Sequence, residues 1–261
     1  MKPLDGKWFC GTSCAEKSKK CELNTVAELG VRHYIHLEYL DQMNVKNLFH
    51  DLKFEKPLFF NWPIGLRFET GSLSRFADGE LYFNEAHKRA VAIFEACFSN
   101  DDEIIIVYQK ESDYRRRKIR KSDYILKQIA QSGKFEYCDV HGIYVCDGIY
   151  RLSRRGPLKC SCYCNPNNVW KRVIVQGLKR SDINYSNILL AVVNTDFPNR
   201  QPSTKGECYF VNSTTGLILN LYDNRGMDVI STTSDTLKPI YEHFNDWLLD
   251  ANREYMDLIF C

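Results

Sequence analysis

Asp223, Arg225 and Asp228 crowd three charges into the stretch YDNRGMDV (222–229). A guanidinium flanked by carboxylates is suited to a charged protein surface. Arg67 and Glu69, from the earlier stretch LRFE (66–69), are their expected neighbours. The plain alternative is turn chemistry with local ion pairing. A second candidate is the basic run Arg115, Arg116, Arg117, Lys118, Arg120 and Lys121, preceded by Tyr114. It could contact phosphate or an acidic protein, or be a solvated loop offset by Asp101, Asp102 and Glu103. Cys160, Cys162 and Cys164 alternate with single residues, a poor chelate for one tetrahedral ion, and Cys10, Cys14 and Cys21 with His33 and His36 form a weaker group. Free thiols, no stoichiometric zinc and no cofactor are therefore expected. Glu85 with His87, Asp139 with His141, and Glu242 with His243 are adjacent acid–imidazole pairs, but adjacency alone makes no dyad. There is no G-x-S-x-G, Gly-rich phosphate loop or H-E-x-x-H, which points away from an enzyme. A triad dispersed along the chain would leave no such trace.

The elements that must position these residues are clearest in the unit 206–250. Leu217, Leu219 and Leu221 alternate with Ile218 and Asn220, the period of a strand. Cys208–Val211 precedes it through Asn212–Gly216, and Met227 and Val229 follow. Asp223-Asn224-Arg225-Gly226 has turn chemistry, with Gly226 free to take positive φ and form a bulge. Leu237, Ile240, Tyr241, Phe244, Trp247 and Leu248 then form one apolar helical stripe over 236–249, with Trp247 a candidate buried anchor. Asp235 or Thr236 would cap this helix and put Pro239 in its first turn.

Earlier segments follow the same logic. Val31–Phe49 reads as helical. Ile64, Leu66 and Phe68 mark a half-buried strand. Glu85–Phe98 is a helix capped by Asn84, with Ala86, Ala90, Ile93, Phe94 and Cys97 inward. Ile104–Tyr108 is a short buried strand, and Ser122 can cap another helix. Asp147-Gly148 signals a hairpin, 154–168 is a polar loop, Val169–Val175 is a strand and 182–193 is helical. Strand runs with amphipathic helices argue an α+β class: a mainly antiparallel sheet with helices packed on it, in a single large domain spanning 37–261. Residues 1–36 read as a polar extension rich in Cys and Lys.

Composition agrees with that class. The 261 residues are 44% hydrophobic and 13% aromatic, enough for a sizeable core, and the net charge of +2 gives no global pull toward nucleic acid or membrane. No apolar run nears the roughly 18 residues of a membrane span. Without an export signal, eleven cysteines suit a reducing cytoplasm.

PLFFNWPIGLRFETG (57–71), NTDFPNRQP (194–202), YFVNSTTGLILNLYDNRGMDVIS (209–231) and TLKPIYEHFNDWLLDANRE (236–254) together resemble a bacterial family known as a domain of unknown function, mainly from Firmicutes. The resemblance covers most of 37–261. It implies a cytosolic protein of one α+β domain and carries no activity with it. The chain departs at Asn224, where the family has a second Asp, and does not align over 1–36 and 154–168. The functional expectation is a protein-binding module, of immunity or regulatory type. The alternatives are a nucleic-acid-associated protein using 114–121, and a hydrolase or transferase with a dispersed site.

Overall fold

Ile104–Tyr108 is five apolar residues in a row, so a strand there needs cover on both faces. In the structure, a computed structural model, this segment is the start of an interior strand. Residues 54, 57–71, 79–112, 119–141, 145–146, 162–163 and 169–261 are described. The expected helix 31–49, the extension 1–36, Asp147-Gly148 and most of the loop 154–168 lie outside them.

The strands are β1 (Gly65–Glu69), β2 (Ile104–Ser112), β3 (Lys134–His141), β4 (Val145–Cys146), β5 (Cys162–Tyr163), β6 (Val169–Leu178), β7 (Glu207–Asn212), β8 (Leu217–Leu221) and β9 (Gly226–Ser231). Seven of them form one sheet in the order β1-β9-β8-β7-β2-β6-β3, every neighbour antiparallel, while β4 and β5 pair separately. The helices are α1 (Leu58–Asn61), α2 (Gly79–Cys97), α3 (Tyr124–Lys127), α4 (Tyr185–Val193), α5 (Ser234–His243) and α6 (Arg253–Phe260). This is the α+β architecture expected, one large antiparallel sheet with helices against it.

One sheet face carries Leu66, Phe68, Ile106, Val173, Phe210, Leu219 and Val229, and α2, α4, α5 and α6 pack there. The inward stripe of α2 is the anticipated one, extended by Phe83. The helix begins at Gly79, before Asn84, because Phe83 already meets the core and Glu80 pairs with Arg200. Phe94 stacks on Tyr185 (4.3 Å) and Phe98 (4.5 Å) and meets Phe210 edge-on (5.0 Å), tying α2 to α4 and β7. Asn212 organises the turn into β8. Its Oδ1 accepts from the Thr214 and Thr215 N–H groups, and Gly216 takes φ +72°.

The opposite face is also interior. Phe54, Leu58, Ile105, Val107, Ile174, Tyr209, Ile218 and Ile230 are buried together. β1 is therefore buried along both faces rather than half-buried as alternation suggested; Gly65 and Arg67 are inside with Leu66 and Phe68. Trp62 closes this edge by donating its indole N–H to the Ser231 carbonyl (2.9 Å).

The C-terminal helix departs most from expectation. It starts at Ser234 after Thr233, so Pro239 falls in the second turn, and it stops at His243. The chain then takes a 3-10 turn, Asn245–Trp247, and reaches β1. Leu249 N–H donates to the Arg67 carbonyl (2.8 Å), and Leu248 bridges Phe68, which covers the outer edge of β1. This pairing takes 248–249 out of the helix, and the chain then enters α6. Trp247 is half-buried, stacked on Phe244 at 4.9 Å under the Arg89 guanidinium at 5.2 Å. Trp247→Ala is thus expected to cost roughly 2 kcal/mol, below the value for a fully buried ring. Thermal melts of the two proteins check this, and a loss above about 4 kcal/mol would contradict the half-buried placement.

Candidate functional site

The hairpin β8–β9 ends where the Tyr222 N–H donates to the Gly226 carbonyl (3.2 Å), leaving a three-residue loop. Asp223 folds back as an Asx turn: Oδ1 accepts from the Arg225 N–H (2.7 Å), and Oδ2 accepts from Arg225 Nε (2.9 Å) and Nη2. The Asp223 side chain is 8% exposed and that of Arg225 is 72% exposed. The hydrogen bond to Asp223 raises the Arg225 pKa further, so its charge is permanent. The loop is anchored from outside as well. The Asn224 carbonyl accepts from Thr70 Oγ1 (3.2 Å) and Tyr82 Oη (3.5 Å), and the Arg225 carbonyl accepts from the Thr70 N–H (3.0 Å). The tip is thus an exposed guanidinium on a packed base, held by the end of β1 and the first turn of α2.

Asp228 lies apart from that tip. It is fully buried on the second sheet face, in register with Arg67 on β1 and Asn220 on β8. Arg67 Nε sits 3.6 Å from Asp228 Oδ1, and Asp228 Oδ2 accepts the Phe59 N–H (3.2 Å). The guanidinium lies over the rings of Phe60 (5.0 Å) and Tyr222 (5.4 Å) and donates to Tyr222 Oη (3.4 Å). Burial raises the Tyr222 pKa, so its phenol stays protonated. Glu69 is opposite Gly226, and its carbonyl accepts from Arg89 (3.2 Å). Of the five residues read as one charged group, Arg67 and Asp228 form an interior pair, Glu69 is partly buried, Asp223 positions Arg225, and Arg225 is the exposed one.

Sequence reasoning missed a second polar row on the same face, buried at Gln109 and Arg172 and partly buried at its ends. Glu207, Gln109, Arg172 and Cys138 are in register across β7, β2, β6 and β3. Arg172 donates through Nε (3.0 Å) and Nη2 (2.8 Å) to Gln109 Oε1. Gln109 Nε2 and Tyr209 Oη both donate to Glu207 Oε2 (2.8 Å each). Burial lowers the Arg172 pKa. The signal was the unbroken apolar run before Gln109: a strand covered on both faces buries the polar residue that directly continues it.

The basic run is described only at Arg120 and Lys121, both exposed; Arg115, Arg116, Arg117 and Lys118 lie outside the described residues. Of the acidic residues expected to offset it, Asp102 is engaged elsewhere. Asp102 Oδ2 accepts from the Ser99 N–H (2.6 Å) and Asn212 (2.8 Å) at the opposite end of β2. The carboxylate beside Arg120 is Asp123, which pairs with Lys110 (2.8 Å).

Among the adjacent acid–imidazole residues, Glu85, His87 and Asp139 each meet a partner other than the neighbour in their pair. Glu85 binds Arg89 (2.8 Å), His87 Nε2 lies 2.9 Å from the Ser186 carbonyl, and Asp139 pairs with Lys171. His243 meets the Phe244 ring edge-on (4.5 Å). Among the described residues no group of three His, Cys, Asp or Glu side chains could hold a metal ion. Cys10, Cys14, Cys21, His33, His36, Cys160 and Cys164 lie outside them. Burial holds the Cys97 and Cys208 thiols well above their usual pKa, so both are inert packing residues. No helix among the described residues is long and apolar enough to cross a membrane.

The chain is 23% identical over 222 residues to the uncharacterized protein YnaE of Bacillus subtilis (strain 168), an alignment spanning 78% of this chain and 94% of the relative. No solved structure matches it. A family model described as a domain of unknown function (DUF3885) matches residues 42–252, and the chain belongs to that family.

Proposed function

We propose that this chain is a protein-binding module, immunity-type or regulatory in kind, acting in the cytoplasm, and that Arg225 is its presented anchor. One observation carries the reading: a 72% exposed guanidinium held in a fork by a buried carboxylate, on a loop fixed through Thr70 and Tyr82. Ordering an arginine before contact lowers the entropy lost on binding, and arginine is enriched among residues that dominate interfaces. Asp223 takes Nε and Nη2, so the outer part of the guanidinium faces the partner. A carboxylate-bearing surface would complement it.

Arg225→Ala is expected to shift stability by under about 0.5 kcal/mol, as for an exposed turn residue. It is expected to weaken partner binding by roughly 1–3 kcal/mol. The partner is identified by co-purification and titrated against both proteins, alongside melting curves. Unchanged affinity in the variant removes this reading. A large loss of stability would show that Arg225 is a structural clamp instead.

A further inference from the structure

The far margin of the sheet has a different chemistry. Edge strand β3 presents Tyr137, 48% exposed, opposite the fully buried Val173 of β6. Phe135, two residues earlier on the same face, packs against the core beneath the Lys121 ammonium (5.6 Å). One step further along the strands, Lys171 of β6 stands directly opposite Lys110 of β2. Like charges in that register repel, since their Cβ atoms are only about 5 Å apart. The fold tolerates the pair by giving each lysine its own carboxylate: Asp139 for Lys171, Asp123 for Lys110. Both ion pairs are partly exposed, hence weak and exchangeable. The lysine row lies about 7 Å from the Tyr137 row along the strands, comparable with the reach from a base to its own phosphate. Arg120 is exposed, and its backbone N–H donates to Asp123 (3.4 Å).

We propose that this margin, built from Tyr137, Phe135, Lys110, Lys171 and Lys121, binds single-stranded nucleic acid. Tyr137 stacks on a base, and the ammonium groups of Lys110 and Lys171 take the adjoining phosphate from their carboxylates. An exposed ring among paired lysines at the end strand of the described sheet matches how single strands are held, by stacking together with backbone charge. A duplex offers no unstacked base to Tyr137, and a polyanion without aromatic groups, such as polyglutamate, gains nothing from stacking on the ring. The site is distinct from Arg225: five strand spacings, about 24 Å, separate β9 from β3.

The test is fluorescence anisotropy on the full chain with labelled 12-residue thymidine and uridine oligonucleotides at low salt. Saturable binding that weakens with salt is expected, and the two sugars show whether DNA or RNA is preferred. Tyr137→Ala should weaken binding roughly 5- to 100-fold, while Tyr137→Phe should retain it. Replacing Lys110 and Lys171 together by Ala removes the cations on one phosphate and should flatten the slope of log affinity against log salt by about 0.7. Arg225→Ala should bind oligonucleotide as the parent does, which separates this surface from the protein-binding one. Absence of saturable binding overturns the proposal. So does unchanged affinity in a folded Tyr137→Ala, equal affinity for a duplex of the same length, or equal competition by polyglutamate. A loss confined to Arg225→Ala would move the nucleic acid to the hairpin and overturn the placement.

Discussion

Asp228→Ala is expected to destabilise the protein by about 3–5 kcal/mol, the largest effect of any single change considered. The carboxylate is fully buried and faces two donors, the Arg67 guanidinium and the Phe59 N–H. Losing one ordinary hydrogen bond would cost about 1 kcal/mol. Losing this charge costs more because Arg67 stays behind, buried against the rings of Phe60 and Tyr222, and a guanidinium does not neutralise itself by giving up a proton. Asp228→Asn keeps the shape and an acceptor for Phe59 but removes the charge, so it should fall between parent and alanine. Replacing both partners, Arg67→Met with Asp228→Leu, should recover much of the loss, since an apolar pair of similar volume suits an interior. Urea unfolding of the four proteins gives the comparison, provided the slope with denaturant is unchanged. A loss under 1 kcal/mol in Asp228→Ala would mean that the pair is hydrated and contributes little.

Gly226→Ala should cost roughly 1–3 kcal/mol, and Gly226→Val more. Turn chemistry suggested positive φ as the reason for glycine here, but Gly177 and Gly216 are the glycines with positive φ among the described residues. The reason at Gly226 is space. A Cβ there would stand 2.0 Å from Tyr222 Oη and 2.9 Å from the Phe68 carbonyl. Tyr222 can swing away only by abandoning Arg67. The Phe68 carbonyl is backbone of β1 and moves only if the β1–β9 pairing opens. The two explanations differ in what rescues the variant. If space decides, Tyr222→Ala should partly restore Gly226→Ala, and Gly226→Asn should be as poor as Gly226→Ala. If a left-handed conformation decided, Asn would be tolerated and the tyrosine change would not help. Melting temperatures of the set separate them.

Much of the architecture was legible because its signals are local. Period two marked β7, β8 and β9, and a 3.6-residue stripe marked α2 and the start of α5. Asp223 at the head of a turn foretold a tight hairpin and an outward Arg225, since both depend on residues a few positions apart. Contacts between distant segments decided the rest. The helix after β9 stops at His243 because Leu248 and Leu249 pair with β1, which no helical period can register. Alternation assigned one face of β1 to water, yet the central strands are covered on both faces, so Arg67, Asp228, Gln109 and Arg172 are core residues. Asp228 looked like a turn charge beside Arg225, and the β1–β9 register made it the buried partner of Arg67. Amino-acid type and spacing alone determined which segments would be strands and helices and which turn would present an arginine. Which charges face water and which face each other was decided only when strands remote in sequence came into register, because burial and ion pairing are properties of neighbours that the chain brings together across the sheet.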